Sequence, residues 1–400
     1  QVHGLSSPGL RRRMARSSPH SFSAARRLLL VGLGASLQVR SAAQQAGCPG
    51  REAAQTKVLV HYMIWFGEPG TRHWIWGNRS YFDRMTMGCN NTQHLATRFP
   101  PVGGAFASYD AAHAARDVAL MKSHCIDGVI IDYQQPMSRV GRSIIDRSLP
   151  VVVDAVVRAG LEFAIMFDTS SMRHWGRDRI QESEVSKDWR RIISLASDKR
   201  ASYLKDAAGN LMFFLFGATP PPAMDMPCPG CAFYAQDANH HRDLAEVPGK
   251  AGAFAWVEPP RGPPLEYLGS FYRRKCGTMF PDSPTPCVGA AFPGMQAVYP
   301  QHSSLRRSPA LLRQGLELCA RHGVTCQVPT WNDYNEGTHI EPSYWCDGHA
   351  PDEYLQVIRD FKQGRSLGGG RSRMLTSAVD RRRPLGRLVL LVFASVAVLG

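Results

Sequence analysis

The 400-residue sequence lacks several motifs that assign a protein to a common functional class. No phosphate-binding GxGxxG motif opens a helix after a predicted strand, and the three glycines at 368–370 lie in a basic tail. One CxxC pair, Cys228 and Cys231, has no second pair to complete a four-ligand zinc site. No internal repeat of fixed period occurs, which argues against a repeat protein.

Acidic residues are scarce at both ends of the chain, and this explains the formal net charge of +14. Residues 1–50 hold seven arginines and no acidic residue, and residues 365–400 hold seven arginines and one aspartate. The two ends therefore supply 13 of the 14 positive charges, and the middle of the chain is nearly neutral. A near-neutral centre argues against a phosphate-binding surface, so we expect no nucleic-acid partner.

The two ends are predicted to be targeting or tethering segments. Residues 1–50 are predicted to be a basic leader with a signal peptide, because the apolar run 28–37 follows two arginines. A disordered leader or an organellar transit peptide is the alternative. Residues 364–387 are predicted to be a basic linker and 388–400 a hydrophobic tail. That tail is shorter than the roughly 20 residues of a membrane span. It is a candidate for membrane attachment, as part of a span or of a lipid-anchor signal.

The cysteines and two sequons fit a secreted glycoprotein. The chain has 10 cysteines, and a secretory route favours disulfides over metal sites. Asn78 and Asn90 each begin an N-glycosylation sequon. We expect an extracellular, Golgi-lumenal or membrane-anchored protein. The full pairing cannot be deduced, but two pairs could close short loops: Cys276 with Cys287, and Cys319 with Cys326.

Residues 56–363 are predicted to form one α/β domain, a single (β/α)8 TIM-like barrel. Short apolar runs without strict alternation are typical of parallel strands buried on both faces. Pro-rich and Gly-rich segments, such as 218–223 and 258–264, are expected as loops on the active-site face. An open doubly wound sheet is the alternative. Predicted strands cover 58–64, 128–132, 163–168, 212–216, 232–236, 252–257, 288–292 and 325–331, and predicted helices cover 110–123, 148–159, 182–196, 308–322 and 351–361.

The segment 330–342, TWNDYNEGTHIEP, carries the strongest functional signal. Asp333 and Glu336 are three residues apart after an apolar run, so both can reach one small space. A carboxylate pair in one cleft is what cleavage of a glycosidic bond requires. The ends of barrel strands converge on one mouth, where carboxylates can bind sugar hydroxyls and aromatic rings can stack on sugars. The candidate sugar contacts are Tyr62, Trp65, Asp132, Asp168, Trp256, Trp331, Asn332, Tyr334 and Glu341.

The residues from Trp331 to Pro342 resemble the signature of glycoside hydrolase families 71 and 99. In family 99 the comparable segment is Trp-Asn-Glu-Trp-His-Glu-Gly-Thr-Gln-Ile-Glu-Pro. Segments 62–67 and 127–132 resemble that family's first two strands. The resemblance implies Glu336 as general acid/base, Asp333 as second carboxylate, retention of configuration and an epoxide-like intermediate. Family 99 has Glu at the position of Asp333, whereas family 71 commonly shows Trp-Asn-Asp-Tyr, so the difference favours a 71-like or intermediate subgroup.

The sequence therefore predicts a glycosidase that cleaves an α-linked glycan of mannan or glucan type. We expect an endo-acting enzyme whose substrate is a poly- or oligosaccharide, with no cofactor and no metal. A non-catalytic carbohydrate-binding protein on the same barrel is the main alternative. A sugar-modifying transferase would share the same site.

Overall fold

The structure is a computed structural model of the chain. It describes residues 48, 56–68, 76, 95–136, 139–168, 170, 182–217, 228–237, 250–257, 263–276, 286–299, 304–345 and 349–365. The predicted signal peptide, both sequons, most of the Pro-rich loops, nearly all of the linker and the hydrophobic tail lie outside these residues. No helix within the described ranges is both long and apolar enough to cross a membrane.

Eight parallel strands close into one barrel in sequence order, which confirms the predicted (β/α)8 fold. The barrel closes where Val58 of the first strand pairs with Cys326 of the last. Nearly every strand residue is buried, because the barrel interior covers one face and the helices cover the other. The strands are β1 Val58–Met63, β2 Gly128–Gln134, β3 Glu162–Asp168, β4 Leu211–Phe216, β5 Cys231–Gln236, β6 Lys250–Phe254, β7 Cys287–Ala290 and β8 Thr325–Val328.

Six helices pack outside the barrel in the described part of the chain. Five of them overlap predicted helices, although the second begins at Arg139, nine residues before its predicted start at 148. The fourth was not predicted, because prolines at 263 and 264 suggested a loop. Proline is well tolerated at the first position of a helix, where its missing N–H has no partner to lose. The helices are α1 Ala111–Ser123, α2 Arg139–Arg158, α3 Glu182–Asp198, α4 Pro264–Lys275, α5 Pro309–Arg321 and α6 Glu353–Lys362.

The last strand is shorter than predicted, and this determines where the functional residues lie. β8 ends at Val328 instead of Trp331 because Pro329 has no N–H for the next ladder bond. The chain stays attached to β1, since the Trp331 N–H donates to the His61 carbonyl at 2.6 Å. The motif residues therefore occupy a loop at the C-terminal end of the barrel, the end where this fold places its active sites.

Four disulfides lie within the described residues. Two of them are the short-loop pairs expected from the sequence, Cys276–Cys287 and Cys319–Cys326. The CxxC pair is joined as a disulfide, and another links residues 48 and 125. Disulfides persist in oxidising compartments, so the four bonds are consistent with an extracellular or secretory protein.

Candidate active site

Four carboxylates gather at the C-terminal mouth of the barrel. Asp132 is near the end of β2, and Asp168 is the last residue of β3. Asp333 and Glu336 lie on the loop after β8. Asp132, Asp168 and Asp333 are 2%, 3% and 7% exposed, and Glu336 is half-buried. The barrel thus brings together acids that are up to 204 positions apart in the sequence.

The environment raises the pKa of both motif carboxyls by different amounts. Burial raises the pKa of Asp333 to about 6, and hydrogen bonds from the backbone of Glu336 and Asn335 limit the rise. Burial raises the pKa of Glu336 to about 8, and the negative charges of Asp333 and Asp168 add to that rise. Between about pH 6 and about pH 8, Glu336 is therefore protonated and Asp333 is ionised. One protonated and one ionised carboxyl group is the arrangement typical of glycosidases.

The pKa of Asp132 is also raised. Burial and the charges of Asp168, Asp333 and Glu336 raise its pKa well above the usual range. Its Oδ1 is buried and has no hydrogen-bond partner among the described residues. A buried carboxylate oxygen without a donor costs free energy, so a donor that reached it would be bound favourably.

A tight turn holds the two motif carboxylates. The Glu336 N–H donates to Asp333 Oδ1 at 3.1 Å, and the Asp333 N–H donates to Thr330 Oγ1 at 2.9 Å. Gly337 has a φ of +62°, and a Cβ there would lie 2.6 Å from the carbonyl oxygen of Gln296. Only glycine meets both conditions, so Gly337 lets the turn that carries Asp333 and Glu336 pack against the loop after β7.

A buried arginine supports the second half of the same loop. Arg307 is 4% exposed and donates to the carbonyls of Gly337 and His339, the latter at 2.6 Å. Its guanidinium lies 4.5 Å from the ring centre of Trp345. These contacts satisfy loop carbonyls that would otherwise be buried without donors.

Two of the predicted aromatic contacts lie partly open at the mouth. Trp65 follows β1 and Trp256 follows β6, and both are half-buried. Trp256 stands edge-on to His61 at 4.6 Å and to Phe216 at 4.8 Å. Burial lowers the pKa of His61 to about 3, so its ring is a neutral support beneath Trp256. Both tryptophans keep surface that a sugar could contact.

The other predicted aromatic and amide contacts are fully buried in the structure. Tyr62, Trp331, Asn332 and Tyr334 are each 0% exposed, which leaves their side chains no surface for a sugar. Asn332 uses its side chain to accept from the Met63 N–H at 2.7 Å and to donate to the Met63 carbonyl at 3.1 Å. Trp331 and Asn332 thus attach the loop to β1, and Tyr334 packs against Phe66, which follows that strand. Sequence position alone does not distinguish these roles from substrate contact.

Glu341 is also buried, beside His113 and Asp117 of α1. This is the one group in the described ranges with three metal-binding side chains, whose ligand atoms lie within 4.8 Å of one another. Arg116 contacts Nδ1 of His113, and a guanidinium can only donate. The other ring nitrogen of His113, Nε2, lies 3.0 Å from Asp117 Oδ2 but has no hydrogen-bond partner among the described residues. Glu341 therefore belongs to a buried cluster beside α1.

Three residues at or beneath the site were not predicted from the sequence. Tyr299 lies after β7, and its pKa is raised by burial and by the charges of Asp333 and Glu336, which places it near them. Arg307 carried no recognisable signal. Asp117 did, because it interrupts the apolar stripe of α1 at helical spacing, where a buried acid requires partners.

The chain shares its fold with known glycoside hydrolase structures. No protein-family model and no curated protein matches it. Two structures of the GH99 endo-alpha-mannosidase from Bacteroides thetaiotaomicron, one in complex with bis-tris-propane, superpose with a TM-score of 0.57 at 12% identity. Each alignment covers 77% of this chain and 96% of that chain. At this identity the likeness shows the barrel fold alone.

Proposed function

We propose that the protein is a glycoside hydrolase that cleaves an α-linked glycan of mannan or glucan type, within the chain of a poly- or oligosaccharide. The observation that carries this proposal is the Asp333 and Glu336 pair, whose pKa values are raised to about 6 and about 8. The fold shared with an endo-alpha-mannosidase and the resemblance of segment 330–342 to families 71 and 99 support it.

We assign Glu336 as the general acid/base and Asp333 as the second carboxylate. Protonated Glu336 gives its proton to the glycosidic oxygen as the bond to the anomeric carbon breaks. In the route that the family 99 resemblance implies, ionised Asp333 takes the proton of the sugar 2-hydroxyl, whose oxygen then bonds the anomeric carbon. Water then attacks the anomeric carbon and gives a proton to Glu336, while protonated Asp333 returns its proton to the 2-oxygen as the bond from that oxygen to the anomeric carbon breaks. Glu336 ends protonated and Asp333 ionised, as at the start.

The remaining residues at the mouth are assigned to substrate binding. Asp132 and Asp168 would accept hydrogen bonds from sugar hydroxyls, and Asp132 Oδ1 has no competing partner in the described part of the chain. Trp65 and Trp256 would stack on sugar C–H surfaces with their exposed parts. A few polar groups among aromatic rings are typical of ligand sites.

One observation favours a non-catalytic carbohydrate-binding protein as the second candidate. Asp333 Oδ1 accepts the Glu336 N–H within its own turn, and Asp333 is 7% exposed. A carboxylate fully engaged by its loop would not act on a substrate. Binding through the tryptophans would remain in that case, without cleavage.

Hydrolysis assays on α-mannan and α-glucan oligosaccharides decide between these candidates. Glu336→Gln keeps the side-chain shape and removes the transferable proton, so we expect kcat to fall by at least about a hundredfold. Glu317→Gln, on the exposed face of α5, is the matched control and should leave activity unchanged. If the wild-type protein binds glycans without cleaving any, and Glu336→Gln binds them equally well, the protein is a carbohydrate-binding protein.

A further inference from the structure

The loop that carries both motif carboxylates is closed at its base by two neighbouring residues, Thr330 and Trp331. The Thr330 N–H donates to the Thr338 carbonyl at 3.2 Å, and the Thr330 carbonyl accepts the Ile340 N–H at 3.0 Å. The carbonyl of Trp331 accepts the N–H of Ile340 at 3.0 Å and the N–H of Glu341 at 2.9 Å. Asp333 and Glu336 both lie between these two ends. A displacement of Trp331 therefore moves the base of the loop and both carboxylates with it.

The indole of Trp331 is held from below by a buried acid on α1. Asp117 is 0% exposed, and its Oδ2 accepts the Trp331 Nε1–H at 3.2 Å. The same oxygen accepts the Tyr62 hydroxyl at 2.9 Å and faces the His113 Nε2 at 3.0 Å. Two donors, one from β1 and one from the loop after β8, thus converge on one oxygen atom. Multiple donors are what allow a carboxylate to be buried.

We propose that Asp117 is a positioning residue for the catalytic carboxylates, acting through Trp331 and Tyr62. The inference rests on the proposed hydrolase function. Asp117 does not touch the mouth, and it is not among the charges that raise the pKa values of Asp333 and Glu336. Asp117 would therefore act on the positions of Asp333 and Glu336 and not on their pKa values. A misplacement of about 1 Å can lower a rate about a hundredfold.

The test is a double-mutant cycle measured by steady-state kinetics on the glycan that the wild-type protein cleaves. Asp117→Asn keeps the shape and weakens the acceptor, and Trp331→Phe removes the indole N–H from the other side of the same contact. Each should lower kcat by roughly tenfold to a hundredfold with KM changed less than about threefold. The double variant should be no slower than the slower single variant, because both changes break one contact.

Asp127→Asn is the matched control at the opposite end of the barrel. Asp127 accepts the Val58 N–H and the Lys362 ammonium, each at 2.7 Å, so its loss should lower the melting temperature and leave kcat per folded molecule unchanged. If Asp117→Asn behaves like this control, Asp117 is merely structural and the proposal is wrong. Losses that multiply in the double variant also overturn it.

The test also covers a variant that does not fold and a wild-type protein that is inactive. If Asp117→Asn is not recovered folded, Trp331→Phe and Tyr62→Phe probe the same oxygen while the carboxylate is retained, and unchanged kcat in both overturns the proposal. If the wild-type protein cleaves no glycan, the proposed function fails and the positioning role fails with it. An active wild type with unaffected variants removes the positioning role alone.

Discussion

The opposed protonation states of Asp333 and Glu336 predict a bell-shaped dependence of kcat/KM on pH. Activity requires Asp333 ionised, which occurs above about pH 6, and Glu336 protonated, which occurs below about pH 8. With these two values, about 0.8 of the molecules have both groups in the required state at pH 7. At pH 5 and at pH 9 the fraction falls about tenfold, so we expect an optimum near pH 7.

The alkaline limb has a physical cause that a single substitution tests. Burial is the largest cause of the raised pKa of Glu336, and the negative charges of Asp333 and Asp168 raise it further. Asp168→Asn removes one of these charges at constant shape, so the alkaline limb should move to lower pH. Initial rates at low substrate concentration, measured in buffers of constant ionic strength, give the limb position even when the overall rate is reduced.

The control for this measurement is Asp127→Asn, whose carboxylate lies at the other end of the barrel and should leave both limbs in place. An alkaline limb that is the same in Asp168→Asn and the wild type would refute repulsion between carboxylates as the cause. A rate that stays level from pH 5 to pH 9 would refute the assignment of both residues.

Two further predictions concern stability. Gly337→Ala should lower both kcat and the melting temperature, because its φ of +62° is unfavourable for any other residue and the added carbon would lie 2.6 Å from the Gln296 carbonyl oxygen. Circular dichroism melting and steady-state kinetics measure both effects. The control is Gly323→Ala, at a position with a positive φ but no neighbouring atom within 4 Å. Because the folded protein raises the pKa of Glu336, that residue's contribution to stability is present at low pH and is lost as pH rises through about 8. The stability of Glu336→Gln relative to the wild type should therefore be greater at pH 9 than at pH 5. Urea titrations at both pH values measure this difference, and an equal difference would contradict the raised pKa.

Some features of the site follow from local sequence patterns, and others do not. The eight strands were predictable because each is a short apolar run, and the carboxylate pair was predictable because Asp333 and Glu336 are three residues apart. The exposure of each motif residue was not predictable, since Trp331 and Tyr334 neighbour the acids in sequence but pack into the interior. Helix α4 was not predicted because proline disrupts the interior of a helix but is favourable at its first position, where Pro264 lies.

The barrel, the loop that carries the acids and the alternation of strands with most helices could be predicted from the sequence, because they depend on the periodicity and chemistry of neighbouring residues. Which side chains contact one another depends on how distant segments pack in the folded chain. Closure of β1 on β8 brings Asp132 and Asp168 to the pair on the last loop, and the packing of α1 places Asp117 under Trp331, 214 positions away. Burial, charge repulsion and shared hydrogen bonds arise only from these long-range contacts, so the pKa values and the support of the loop belong to the folded chain.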